Sequence, residues 1–388
     1  MVSLTNFRNG RQQRCGNTSV LVAILMVPLL GMVALGVDVG IIGTSKVVLQ
    51  RSADAGALAA AWELLNSQTP SSNLTPNRAE QEARNAAMEY AALNGVLPQK
   101  SITLASADID IGHAQNPLSS LSLDYSQQAF YNVVKIRVRR DHIANNPAPS
   151  FLARILGPAR ILGHDSTDVT ATATAAFITS IRGFRQPLDP HQKIPLLPFA
   201  LNSNTWNNAL AGGGLDNWRW DAAAGEFVPG SDGIAEFNLY PQNTGSMFHQ
   251  GTVNIGTSQD SSSHVSRQIL EGISAEDLAF HGGELVADQQ IALYLDGDAG
   301  ISAGFKDELF AIRGQPRIVP LVSEVLGEGG NGVTTIVGWA GLRIADVVLV
   351  GRDKQVIAQA TNVITPGTVP GGDPGTSRFI TSTVWLAE

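Results

Sequence analysis

The chain has 388 residues, and 15% of them are charged, against roughly 25% in an ordinary soluble domain. With 39 glycines and 19 prolines it stays far below the roughly 25–30% Gly plus Pro of a low-complexity chain, which excludes collagen-like and disordered classes. The net charge of −8 excludes a general nucleic-acid binder, and the single cysteine excludes intrachain disulfides and cysteine-based zinc sites.

That charge is unevenly placed: Arg8, Arg11 and Arg14 give residues 1–14 a charge of +3, leaving −11 beyond. Cys15 to Val37 holds no charged residue, and its apolar part, Thr18 to Val37, is 20 residues long. A helix of that length covers the ~30 Å hydrocarbon core of a bilayer. Three arginines before the span and Asp38 after it predict a cytosolic amino terminus, with everything from Asp38 onward translocated. Pro28 is tolerated in a membrane helix and is expected to kink it. Asp38 is expected to be a solvated residue at the outer interface. Ala34-Leu35-Gly36 offers a faint signal-peptidase site, but the run exceeds the ~7–15 residues of a signal peptide and the helical pattern continues through it. An uncleaved anchor is therefore expected. Gln12-Gln13-Arg14 before Cys15 is no lipobox, so Cys15 reads as a thiol at the membrane edge.

Beyond the span, Ile42, Ser45, Leu49, Ala53, Gly56, Ala60 and Leu64 recur at steps of three and four, predicting one helix that runs on to about Asn66. A second helix is marked by Asn77 and Glu80 as a capping box, Glu80 and Arg84 as an i,i+4 pair, and Asn94-Gly95 as the stop. The period then becomes two. Val134, Ile136 and Val138 alternate with Lys135, Arg137 and Arg139; Ile109 and Ile111 alternate with Asp108 and Asp110; Val169 to Phe177 alternates with threonines. Basic and acidic strand faces are expected to pair across a small sheet.

Pro187, Pro190, Pro195 and Pro198 predict a linker at 183–198, between an α+β domain at 38–182 and a β-rich domain at 199–388. Strands are predicted in the latter at Ile291–Leu295, Arg317–Val325, Val333–Val337, Val347–Val350, Val356–Gln359 and Phe379–Trp385, with one helix at Ser266–Leu270 or Ala275–Phe280. Pro366–Thr376 reads as an exposed loop. Val333–Val350 is apolar enough to raise a second span, but Arg343 and Asp346 would each cost ~2.5–3.5 kcal/mol there, so a buried pair of strands is expected. The fold class is α+β: a single N-terminal transmembrane helix continuing into an α+β periplasmic domain, followed by a mainly β domain.

Catalytic motifs fail on context. Gly300-Ile301-Ser302-Ala303-Gly304 resembles a nucleophile elbow, yet Asp296 to Ala299 separates it from the strand, and the last histidine, His281, precedes Ser302. Gly327 to Gly332 is glycine-rich but leads into a strand, where a dinucleotide site needs a helix. Asp260-Ser261-Ser262-Ser263-His264 nearly matches an adhesion-type metal site, and a helix cap is the simpler reading. Asp296 and Asp298 supply too few oxygens for calcium, and the seven histidines show no ligand spacing. No metal or cofactor is expected. Trp206, Trp218 and Trp220 offer a possible sugar-stacking face, but core packing is the expected outcome, since buried tryptophan is the usual one.

Several stretches together resemble a known family: Gly16 before the apolar run; Gly31-Met32-Val33-Ala34-Leu35-Gly36-Val37-Asp38-Val39-Gly40; Leu49-Gln50-Arg51-Ser52-Ala53-Asp54-Ala55-Gly56; Tyr90 to Gly95; and Phe151 to Gly157 before an Ala/Thr strand. They look like the TadG-like proteins of Flp pilus (tight adherence) assembly systems. The resemblance extends from about residue 14 to about 180. It implies a single-pass inner-membrane protein with a periplasmic domain, accessory to pilus biogenesis, not enzymatic, and partnered by other Tad or pseudopilin proteins and the lipid bilayer. Related pseudopilins carry glutamate five residues after the processing glycine; here that place is Leu21, which favours a permanent anchor. Gly36 and Gly40 form a GxxxG step at which a neighbouring helix could approach. The alternative reading is a surface binding module, for glycan or adhesion, carried on the same anchor.

Overall fold

A computed structural model describes residues 17–94, 96–97, 100–151, 166–240, 251–256, 261–287, 293–299, 301–326, 331–351, 354–371 and 377–387. It opens with one helix, α1 (Asn17–Ser67), of 51 residues. At ~1.5 Å per residue that is about 75 Å, more than twice the thickness of a hydrocarbon core. Pro28 lies inside it. The predicted stripe is buried from Ser45 onward: Ser45, Leu49, Ala53, Gly56, Ala60 and Leu64 face the core, while Lys46 and Arg51 are exposed.

The second helix, α2 (Pro76–Asn94), starts one residue before the expected box. Thr75 is its cap, accepting from the Arg78 amide at 3.4 Å through its hydroxyl. Pro76 then occupies the first helical position, where a missing N–H costs nothing. Glu80, freed from capping, accepts from Arg84 at 3.0 and 2.8 Å and from Gln128 at 2.9 Å. Ala79, Ala83, Ala87 and Ala91 line the face turned to α1. Small residues let the two helices come close: a Cβ added at Gly56 would sit 2.9 Å from the Ala87 carbonyl oxygen.

The period-two segments form an antiparallel sheet of β1 (Ile109–Gly112), β2 (Val133–Arg140) and β3 (Val169–Ala176), with β2 in the middle. Val134, Ile136 and Val138 turn inward against α1, joined by Ala171, Ala173 and Ala175. The expected pairing of basic and acidic faces is present. Asp110 stands opposite Lys135 in register. Asp108 lies just before the strand, in a short 3-10 turn, where its buried carboxylate accepts from Arg137 at 2.9 Å and Arg139 at 3.0 Å.

The segment expected as a free linker is packed. Residues 181–185 form β4 (Ile181–Arg185), and Ile194, Leu196 and Leu197 are fully buried. Prolines there fix turns; they do not loosen the chain. Beyond this segment the chain closes into a five-stranded barrel: β5 (Phe199–Asn202), β6 (Gly251–Val253), β7 (Leu293–Ala299), β8 (Pro316–Leu326) and β9 (Asn331–Val348). The ring runs β5-β6-β7-β9-β8 and returns to β5, with only the β8–β5 contact parallel.

The strand pair expected at Val333–Val350 is one strand of 18 residues, β9. Its glycines mark close approach, not a turn: a Cβ at Gly341 would lie 2.5 Å from the carbonyl oxygens of Phe379 and Thr361. Both candidate helix segments form helices, Ser262–Glu271 and Ala275–Phe280, and two more stand at Ser203–Leu210 and Lys306–Ala311. The strand expected at Phe379–Trp385 is broken into Ile380–Thr381 and β10 (Trp385–Ala387). That last strand leaves the barrel and pairs with β3, Trp385 opposite Ala176. The carboxy-terminal half thus completes the sheet of the amino-terminal half.

Candidate functional site

Among the described residues one helix, α1, is long and apolar enough to cross a membrane. Its first part keeps its large apolar side chains exposed, with Val20, Leu25, Leu29, Met32 and Val37 all open and Met32 at 70%, while Ala34 alone in that run is buried. Thr18 lies in the first turn, and a Cβ added at Gly31, Gly36 or Gly40 meets nothing within 4 Å. The Gly36–Gly40 step is therefore open along its face. Arg8, Arg11, Arg14, Cys15 and Gly16, on which orientation and processing rest, lie outside the described residues, as do Asp260 and Gly327–Gly330.

Asp38 differs from the solvated residue expected at the interface. It is 7% exposed, and its carboxylate accepts from the Ser150 hydroxyl at 2.7 Å and the Phe151 amide at 2.6 Å. The stripe explains this, since Asp38 lies four residues before Ile42 and so on the same face. The small sheet descends α1 toward this point. The Gln50 amide donates to the Thr172 carbonyl at 3.0 Å, and the Arg140 guanidinium donates to the Ser45 hydroxyl at 2.8 Å. Asp38 then holds the chain at Ser150 and Phe151.

At the far end of α1 lies a cleft of about 560 Å³ between the two halves of the chain. Leu64, Gln68 and Phe130 line one side, and Leu210, Ile234 and Phe379 the other. Among the described residues on its walls Arg378 alone is charged, and it stacks on the Phe379 ring at 5.1 Å. Phe379 has a φ of 65°, a left-handed conformation costly for a bulky side chain. Two lining residues, Thr179 and Thr381, have buried hydroxyls without a hydrogen-bond partner. No acid, histidine or cysteine is among those described residues, so they supply neither a general base nor a metal donor set.

The three tryptophans form no common face. Trp206 is 2% exposed, edge-on to Phe237 at 5.6 Å and Phe379 at 6.2 Å, so this member of the possible sugar-stacking surface packs in the core. Trp218 and Trp220 are half-buried on the strand Trp218–Asp221. Trp220 carries the Arg343 guanidinium over its ring at 4.3 Å and meets Phe227 edge-on at 5.2 Å.

Ser302 is exposed and its hydroxyl accepts from the Gly304 amide at 3.2 Å, capping a short turn. Ser261 caps the helix Ser262–Glu271, accepting from the His264 amide at 3.3 Å. His264 Nε2 lies 3.1 Å from Asp277, whose carboxylate also accepts from Arg267 at 2.6 Å. Burial opposes ionisation of Asp277, but hydrogen bonds from Arg267 and Ser274 outweigh it and hold the carboxyl below its ordinary value. Burial pushes His281 down, and its Nε2 accepts from the Gly256 amide at 3.3 Å. Among the described residues no group of three or more His, Cys, Asp or Glu side chains is placed to hold a metal.

The features that stand out are thus an uncovered apolar helix and the junction beneath the domain it carries. Comparison with family models matches residues 16–63 to the Flp pilus-assembly TadE/G-like family and residues 59–175 to the Tad-like Flp pilus-assembly family. No curated protein and no solved structure matches the chain. The two family matches meet within α1 and end inside β3, so they cover the apolar helix, α2 and nearly all of the sheet packed on them. Residues 16–175 thus match models of Tad/Flp pilus-assembly proteins, and within them the apolar helix α1 is the membrane-spanning candidate.

Proposed function

We propose that the protein is a membrane-anchored structural component of a Tad-type pilus or secretion machine, with its amino terminus in the cytosol and the remainder outside. The observation that carries this reading is the change of surroundings along α1 within a family-matched segment. Its first half exposes apolar side chains, and its second half is the core of the domain. Such a helix fixes the domain at a set height above the bilayer without a flexible tether. The role is placement of an assembly surface, not catalysis, and the partners are other Tad assembly proteins. Leu21 at the position of the pseudopilin glutamate supports a permanent anchor. Burial of Trp206 removes one of the aromatic residues on which a glycan-binding reading would rest.

Fractionation tests this. The full-length chain is expected in the inner membrane, with residues 66–388 digestible by protease added from the periplasmic side. A processed soluble form overturns the anchor, and unchanged surface pili after gene deletion overturn the assembly role.

A further inference from the structure

We propose that the lower end of the domain, through Ile143 and Phe151, rests on the lipid surface and fixes the tilt of the domain against the bilayer. This rests on the reading of residues 18–37 as a membrane span. Four contacts show how the sheet is mounted. A Cβ at Gly56 would lie 3.1 Å from the Ile136 side chain, Gln50 binds Thr172, Ser45 accepts from Arg140, and Asp38 accepts from Ser150 and Phe151. Strand β2 therefore runs down α1 toward the span, and β3, paired with it from Arg140↔Val169 to Val133↔Ala176, runs back up.

Height is set by the helix rise. Ser45 stands eight residues beyond Val37, about 12 Å at ~1.5 Å per residue, and Asp38 stands one residue beyond it. The amide of Phe151, at 2.6 Å from the Asp38 carboxylate, is held at the level where the apolar run ends. Past Arg140, whose side chain reaches Ser45, the chain leaves β2 through a turn in which Asp141 accepts from the Ile143 and Ala144 amides at 2.8 and 2.7 Å. That turn presents Ile143 at 79% exposure, and the segment held by Asp38 presents Phe151 at 43%. Both apolar residues occupy the end of the domain continuous with the exposed apolar surface of α1. An apolar group at that height enters the boundary between headgroups and acyl chains, about 5–10 Å deep. The occupant is the phospholipid surface of the membrane that holds α1, since the span delivers it to this face.

Full-length protein with Cys15→Ser and a single cysteine at Ile143, Phe151 or Tyr125 is labelled with an environment-sensitive fluorophore. It is then placed in phosphatidylethanolamine–phosphatidylglycerol vesicles. Tyr125 is the control: Tyr131 joins it to Gln68, just past the end of α1, and α1 rises about 45 Å between Asp38 and that end. Lipid carrying a quencher just below the headgroup is expected to reduce emission at least twofold at 143 and 151 and by less than a fifth at 125. Equal, weak quenching at all three sites overturns the proposal. To guard against loss of the fold on labelling, the unsubstituted chain is also mapped with a phospholipid bearing a photoreactive group beside the glycerol. Adducts at 141–151 are expected, and adducts confined to the span overturn the proposal. Alkaline washing separates the two readings: a chain released from vesicles breaks the anchor, and a chain retained without contact at 143 and 151 breaks this inference alone.

Discussion

The two halves of α1 are built from nearly the same alphabet of alanine, valine, leucine and glycine, yet they meet opposite environments. Val20 to Val37 is apolar around the whole circumference and keeps its large side chains exposed, whereas Ser45 to Leu65 confines burial to one face and carries Lys46, Arg51 and Glu63 off it. The difference lies in arrangement. A helix apolar on all sides needs an apolar solvent, and one with a stripe needs only a neighbour on that side. The neighbours are α2 and the sheet, which approach closely because the stripe is made of small residues.

The largest effect should come from charging the first half. Val27→Arg with Leu30→Arg places two cations in the span, each costing about 2.5–3.5 kcal/mol. The chain should lose resistance to alkaline extraction while keeping the unfolding midpoint of its folded domain. Retention in the membrane at the wild-type level would mean that this half is not the span.

Next is overpacking of the second half. Gly56→Leu drives side-chain atoms into the Ala87 backbone and should destabilise the domain by about 1–3 kcal/mol, read by denaturant unfolding in detergent. The matched change Leu29→Phe in the exposed half should shift the same curve by less than about 0.5 kcal/mol. Equal effects would erase the distinction between the halves.

Asp108→Ala leaves Arg137 and Arg139 without their buried acceptor. Because Arg137 is half exposed and can rehydrate, the cost should be about 1–2 kcal/mol in the same assay. An unchanged unfolding midpoint would show that the pair adds nothing to the sheet.

The smallest effect is a pH dependence in the barrel half, with none expected from the alanine packing of α1. His281 is held neutral by burial, so its folded pKa lies below the unfolded value of about 6.5. The unfolded chain takes up the proton first, and stability falls as pH drops below about 6.5 toward the folded value. His281→Phe should flatten the melting temperature between pH 7.5 and 5.5, and an undiminished slope would assign it to another group.

Much of the first half was legible because its signals are local. The stripe from Ile42 to Leu64, the alternation in 133–140 and the Glu80–Arg84 pair each depend on residues a few positions apart, and each appears where expected. The barrel half was legible as strands but not as a barrel, since closure depends on the parallel contact of Leu321 with Leu201, 120 residues apart. Val333–Val350 read as a pair of strands and is one strand, in which Gly341 makes room for the backbone of Phe379 and Thr361. Prolines 187 to 198 looked like a linker, and only the burial of Ile194 to Leu197 shows a packed segment.

By itself the sequence determined that residues 18–37 are an apolar run flanked by charge, and that the helix continues as a striped one into an α+β unit. Those are consequences of periodicity and composition, which act over one or two helical turns. Only the tertiary structure decided that Asp38 is a buried acceptor for Ser150 and Phe151, that Trp206 is core, and that Trp385–Ala387 returns to complete the first sheet. Each depends on a partner far away in the chain. A carboxylate, an indole or an edge strand has the same local sequence whether water or protein meets it.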